Sequence, residues 1–296
     1  MELVVLGTAA GGGFPQWNCR CRNCAAARRD PASLPARLQS SVAVSGDGKR
    51  WVVVNASPDL PLQIGRHLPL EGADGLRAAP VASVFLTNAD LDHTLGLLLL
   101  REGGRLSVAA PSGVRASLDE GLRLQAVLGA YGGIDWSLPP DEWTSLDGLG
   151  LEVRAVPLPG AEPPRYAANM PGLPGGHGVG YLFRSSGGRA CGIFPDVARL
   201  DAPLLDLLAS CGRVYFDGTF WDEDEMPRLG LSNRGARAMG HLPVSESLAL
   251  FAGRGIPAAY LHINNTNPIL RPDSDERREV ERHGLRVAED GERLTL

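Results

Sequence analysis

The stretch SVFLTNADLDHTLG, residues 83–96, decides how the chain is read. Its apolar, β-branched opening predicts a strand over 83–86, and the apolar spacing from His93 to Arg101 predicts a helix. Between them runs the polar loop Thr87-Asn88-Ala89-Asp90-Leu91-Asp92-His93. In α/β folds, chemistry gathers where a strand ends and a helix begins. Asp92 and His93 set a carboxylate beside an imidazole there, with Asn88 and Asp90 placed to face the same cavity. Helix capping explains the pattern equally well, with Asp90 or Asp92 accepting N–H bonds and His93 on the surface.

Outward from this loop, short apolar runs bounded by Gly, Pro, Asn or Asp predict strands over 2–6, 41–44, 51–54, 107–109, 151–156, 180–183, 190–194, 214–216 and 258–261. Helical spacing covers 112–128, 201–209, 245–254 and 274–283. The pairs 41–44/51–54 and 180–183/190–194 read as hairpins. Strands arrive in runs as well as in alternation with helices. An α/β fold with a mixed sheet, or two packed sheets with outer helices, follows. Residues 157–178, rich in Pro and Gly, read as a long functional or disordered loop, and residues 1–296 as one domain.

Composition narrows the function. The 296 residues are 44% hydrophobic and 21% charged, the balance of a globular protein. Folding at this length hides about 75% of the unfolded surface, so the core needs no disulfides. The net charge of −5 argues against a nucleic-acid partner. No apolar run approaches the roughly 20 residues of a membrane span, and Glu2 stands where a signal peptide carries Lys or Arg. A cytoplasmic protein is the expectation.

Cysteine placement agrees with a reducing compartment. Three of the five crowd into GTAAGGGFPQWNCRCRNC, residues 7–24, as Cys19, Cys21 and Cys24. Sulfurs spaced C-x-C-x-x-C converge on one ion when the loop folds back, which predicts a structural Zn2+ within about residues 11–28. A set of reduced, buried thiols is the plainer alternative. No histidine is near enough in sequence to favour thiol catalysis. The fourth ligand must come from elsewhere in the chain.

Two later strands also end in metal-ligand chemistry. Residues 214–216 run into Asp217, and 258–261 run into His262. A merely hydrogen-bonded, buried His262 is the competing explanation. His241, in MGHLP, reads either as a ligand or proton-transfer group or as a helix-start residue. His177 lies in the Gly-rich loop, and His67 and His283 look like surface residues.

The segment 87–96 with its later strand-end ligands resembles the metallo-β-lactamase superfamily, which implies a four-layer αββα sandwich with metals at one edge. That family's H-x-H-x-D-H reads Asn88-x-Asp90-x-Asp92-His93 here, so both leading histidines are replaced. More narrowly, GGGFPQWNCRCRNC (11–24), NADLDHTLG (88–96), FDGTFWDEDEM (216–226), MGHLP (239–243) and HINNTNPIL (262–270) resemble the coenzyme PQQ synthesis protein B family.

The resemblance implies a role in pyrroloquinoline quinone (PQQ) biosynthesis. One form of it is an Fe2+- and O2-dependent oxygenase that hydroxylates the tyrosine of a Glu–Tyr unit from the precursor peptide. Asp92, His93 and His262 supply the two imidazoles and one carboxylate usual for non-haem iron. Asp90 is then a further ligand or a supporting group, Asn88 a further donor, His241 a catalytic group, and Asp217 an acceptor that orients a ligating histidine. A related phosphodiesterase family takes its fourth zinc ligand three residues after the terminal metal-binding histidine, the position of Asn265 here. The alternatives are a metal-dependent hydrolase, with Zn2+ in the same site, and a carrier that moves PQQ or its precursor toward the periplasm. Expected partners are the small peptide-derived substrate or PQQ precursor, with a second copy of the chain as a further candidate.

Overall fold

Val42, Val44, Val52 and Val54 are fully buried, and their β-branched side chains drive the antiparallel pairing of Ser41–Ser45 with Trp51–Val54. In the computed structural model, which describes all residues except 71–75 and 77–78, this hairpin seeds the first of two units. That unit comprises Met1–Leu6, Ser41–Gly188 and Gly291–Leu296.

Its seven-stranded sheet runs in the order Arg293–Thr295, Glu2–Gly7, Ser41–Ser45, Trp51–Val54, Val81–Phe85, Leu106–Ala109, Ile134–Ser137. The four strands from Trp51–Val54 to Ile134–Ser137 are parallel, so their carboxyl ends share one edge. Leu6, Trp51, Val84, Leu97, Val108, Val114 and Leu118 fill the core. Each such burial contributes about 1.5–3 kcal/mol. Thr144–Leu146, Leu151–Pro157 and Val179–Arg184 form an antiparallel meander in the same unit. Tyr181 fixes it, its ring edge-on to Phe85 at 5.3 Å and its hydroxyl donating to Leu86 O at 2.8 Å.

The second unit comprises Gly7–Ser40 and Arg189–Asp290. Cys191–Phe194, Arg213–Asp217, Ala258–Leu261 and Arg286–Val287 are parallel neighbours. Ala258–Leu261 is buried at every position, the continuous apolar run that a covered parallel strand needs. Helices Ala202–Ala209 and Asp275–Arg282 start on capping side chains, Asp201 accepting from Leu204 N and Ser274 from Arg277 N.

Some elements differ from the sequence expectation. The helix expected over 112–128 is Ser112–Ala116, a π-turn Ser117–Gly121 and Leu124–Gly129, broken at Arg123 with φ +55°. Just before that break Gly121 packs under Tyr166, where a Cβ would meet the ring at 2.7 Å. The helix expected over 93–101 is two single turns, Leu91–Thr94 and Gly96–Leu99, followed by a 3-10 turn. Gly96 lies so close to the backbone of Ala56 and Ser57 that a Cβ would stand 2.2 Å from Ser57 O. The loop 158–178 holds no helix or strand. It is tethered by Tyr166 Oη donating to Ala89 O at 2.7 Å and by Gly113 N donating to Gly175 O at 3.1 Å. Among the described residues, no helix is long and apolar enough to cross a membrane.

Candidate metal centre

Thr87 follows the strand Val81–Phe85, and the loop it opens is built to hold one ring. His93 is completely buried. Its Nδ1 lies 2.9 Å from Asn88 Oδ1 and 3.3 Å from Thr87 Oγ1. Thr87 is itself held by Asn55, whose Oδ1 accepts Thr87 N–H at 2.9 Å and whose Nδ2 donates to Thr87 Oγ1 at 2.9 Å. Asn55 adopts φ +65°, a left-handed conformation that Asn tolerates and that supports this reach. Asn88 Oδ1 also accepts Asp90 N–H. Asp92 Oδ2 stands 3.9 Å from His93 Nε2. Asp90 occupies the helix N-cap without a capping hydrogen bond from its side chain, so capping does not account for its carboxylate.

In the second unit, Asp217 closes the strand Arg213–Asp217 and is fully buried. Both its oxygens are committed. Oδ2 accepts Val197 N–H at 2.9 Å and faces His241 Nδ1 at 2.9 Å. Oδ1 accepts Thr219 N–H at 3.0 Å and the Thr219 hydroxyl at 2.7 Å. Burial pushes the Asp217 carboxyl up, but the His241 charge and hydrogen bond outweigh it and hold it below the ordinary range. For His241 burial acts downward, and Asp217 reverses it to a raised value.

His262 follows the strand Ala258–Leu261 with φ +56°, a left-handed conformation uncommon for a non-glycine. Its ring stacks on His241, centroids 5.6 Å apart. Asp196 Oδ1 lies 3.4 Å from His262 Nδ1 and 3.6 Å from His241 Nδ1. One donor atom from each of Asp196, His241 and His262 falls within 4.8 Å of the others, a set that fits a divalent metal. Asp196 was not anticipated from the sequence. It stands two residues past the strand Cys191–Phe194, so the strand-end argument that selected Asp217 and His262 also reaches it.

The cysteines form a separate cluster. Cys21 caps the helix Arg22–Arg29, its Sγ accepting Cys24 N–H at 3.5 Å, and Cys19 Sγ accepts Cys21 N–H at 3.3 Å. One sulfur from each of Cys19, Cys21 and Cys24 lies within 4.8 Å of the others. The Asn265 side-chain amide nitrogen sits 3.1, 3.6 and 3.3 Å from those three sulfurs, at the fourth corner. Oxygen and nitrogen of that amide are interchangeable by a half-turn, so the group can also present its oxygen to a cation. Asn23 anchors the Asn265 segment, donating to Asn265 O and Asn267 O at 3.1 and 2.9 Å. Burial pushes the Cys21 thiol up to about 12. At Cys19 burial acts upward too, but hydrogen bonds from Cys21, Cys24 and Asn265 bring the thiol below its ordinary value. The arrangement fits tetrahedral zinc.

His177 and His67 are half-buried, and His283 is exposed. None of the three joins a group of three or more potential metal-ligating side chains among the described residues.

Fold and site together define a member of the β-lactamase superfamily with side chains grouped as metal ligands are. Residues 50–263 match the family model for the Beta-lactamase superfamily domain, and the chain has the metallo-β-lactamase fold. Coenzyme PQQ synthesis protein B of Pseudomonas fluorescens is 39% identical over 304 residues, with both chains covered completely. The protein of that name from Ruegeria pomeroyi is 42% identical over 302 residues, again with complete coverage of both. The crystal structure of Zn2+-bound PqqB from Methylobacterium extorquens superposes with a TM-score of 0.88 at 36% identity, covering 100% of each chain. The chain belongs to the coenzyme PQQ synthesis protein B family.

Proposed function

We propose that the chain works in PQQ biosynthesis as a cytoplasmic, metal-dependent enzyme that hydroxylates the tyrosine of a Glu–Tyr unit derived from the precursor peptide. Family membership supports the pathway. The observation that carries the chemistry is the Asp196–His241–His262 group, two imidazoles and one carboxylate with donor atoms within 4.8 Å. Such a set suits Fe2+ and leaves positions for O2 and substrate. Asp92 and His93 are proposed as metal ligands at their own strand end, where Asn88 Oδ1 holds His93 Nδ1 and leaves Nε2 as the donor nitrogen. Asp90 and Asn88 then support that loop rather than the ion.

Bound iron supplies the activation of O2. The balance is that of a monooxygenase: one oxygen atom enters the ring, and the other leaves as water with two electrons and two protons from an external reductant. The chain's own residues hold rings and exclude solvent, Asp217 fixing His241 and Thr219 lying against His262. Zinc in the Cys19/Cys21/Cys24 cluster braces the loop before the helix Arg22–Arg29, with Asn265 as the fourth group. The zinc of the M. extorquens relative supports a zinc-binding chain.

Iron-reconstituted protein incubated with Glu–Tyr and a reductant should add one oxygen atom to the peptide in air and none under argon. Equal turnover without O2 overturns the oxygenase. The zinc named for that relative also favours a hydrolytic reading. Ester cleavage by the zinc form that persists under argon and disappears in His262→Ala would select it.

A further inference from the structure

Thr219 lies between the buried carboxylate and the second histidine of the Asp196–His241–His262 group. We infer that its hydroxyl relays Asp217 to His262, so that one carboxylate decides which nitrogen of both rings is offered to a metal. The inference rests on the metal reading proposed above.

A threonine hydroxyl has one proton to donate and lone pairs to accept with. Thr219 Oγ1 stands 2.7 Å from Asp217 Oδ1, 2.9 Å from His262 O and 2.9 Å from His262 Nδ1. The first two neighbours only accept, and the carboxylate is the nearer and the charged one. The proton therefore goes to Asp217. What the hydroxyl turns toward His262 Nδ1 is a lone pair, and Nδ1 must carry the hydrogen. Nδ1–H leaves the lone pair on Nε2. For His241 the same result follows directly, because its Nδ1 faces Asp217 Oδ2 at 2.9 Å. Thr219 is only 3% exposed, so water does not compete for the hydroxyl. Its backbone N–H, also given to Asp217 Oδ1, locks the residue in place. Thr219 is thus a positioning residue that acts through His262.

The test uses the full-length protein with 15N-labelled histidine, titrated with Zn2+ and followed by imidazole NMR. In the wild type, His262 and His241 should both show Nδ1–H, with Nε2 shifting as zinc binds. Thr219→Val removes the hydroxyl at nearly constant shape. It should release His262 to the other tautomer and raise the zinc concentration needed for the shift by about 10–100-fold, while His241 keeps Nδ1–H. Thr219→Ser should restore both. Nε2–H on His262 in the wild type overturns the relay whether or not the variant folds. So does an unchanged His262 signal and zinc response in Thr219→Val. A wild type that shows Nδ1–H on both rings yet never responds to zinc supports the relay while overturning the metal reading.

Discussion

Asp217 Oδ2 lies 2.9 Å from His241 Nδ1, and the carboxylate has no contact with solvent. A buried pair of this kind is costly to break, because removing one partner strands the other. Asp217→Ala strands His241 and also the N–H groups of Val197 and Thr219. It should lower the unfolding free energy of metal-free protein by about 3–5 kcal/mol, read by urea denaturation. The pair also sets a pH window. Asp217 is held below its ordinary 3.8, so its contribution is present above that value and lost as pH falls through the folded value. His241 is raised above 6.5, so its contribution is complete below 6.5 and lost as pH climbs through the folded value. The stabilisation should therefore be greatest between 3.8 and 6.5, and His241→Gln should flatten it.

Zinc at the cysteine cluster should be counted per chain and titrated against pH. Cys24→Ser should lose about one equivalent of zinc, read by elemental analysis, and Asn265→Ala should weaken retention without abolishing it. The Cys21 thiol, pushed up to about 12, must give up its proton to bind. Affinity should rise by about tenfold per pH unit for each proton displaced, and a pH-independent affinity would contradict thiolate ligation.

Glu225 offers a second pH signature away from the histidines. It is 2% exposed, accepts Trp221 N–H at 2.7 Å, and receives the Thr266 hydroxyl. Burial pushes its carboxyl from 4.5 to about 7. Between those values the unfolded chain is ionised while the folded chain keeps its proton, so stability falls as pH rises from 4.5 to 7. Glu225→Gln, which mimics the protonated acid, should match the wild type near pH 4.5 and exceed it above 7. Thermal unfolding of both across that range measures the difference.

The strand ends carried most of what the sequence could tell. Asp217 and His262 follow apolar runs whose boundaries are visible in the residue pattern, and both sit where that pattern puts them. Asp196 escaped because Pro195 intervenes and the stretch reads as loop. Thr219 escaped because a threonine in a strand-to-loop turn has no sequence mark of its own, and its role comes from side chains at 217 and 262. Asn265 was visible as a position and not as a partner, since an amide is a weak zinc ligand and only proximity to three sulfurs singles it out. Strands Arg286–Val287 and Arg293–Thr295 are too short for periodicity to register, and each exists through the neighbour it pairs with. The helical spacing of 112–128 continues straight through Arg123, whose left-handed backbone no periodicity announces.

Tyr166 also ties the loop 158–178 to the motif around Asn88 and Asp90, through its hydroxyl bond to Ala89 O at 2.7 Å. Burial and the nearby Asp90 charge both push its phenol up, so the donor stays protonated throughout the physiological range. Tyr166→Phe removes that bond alone and leaves the ring against Gly121. The loss should be about 1 kcal/mol, small for the whole protein but concentrated at one tether. Arg165, next in sequence and exposed, is a tryptic site within the loop. Opening of the loop precedes cleavage there, so Tyr166→Phe should be cut after Arg165 about fivefold faster than the wild type while the global unfolding midpoint barely moves. Equal cleavage rates would place the loop's restraint elsewhere, with Gly113 N to Gly175 O as the next contact to break.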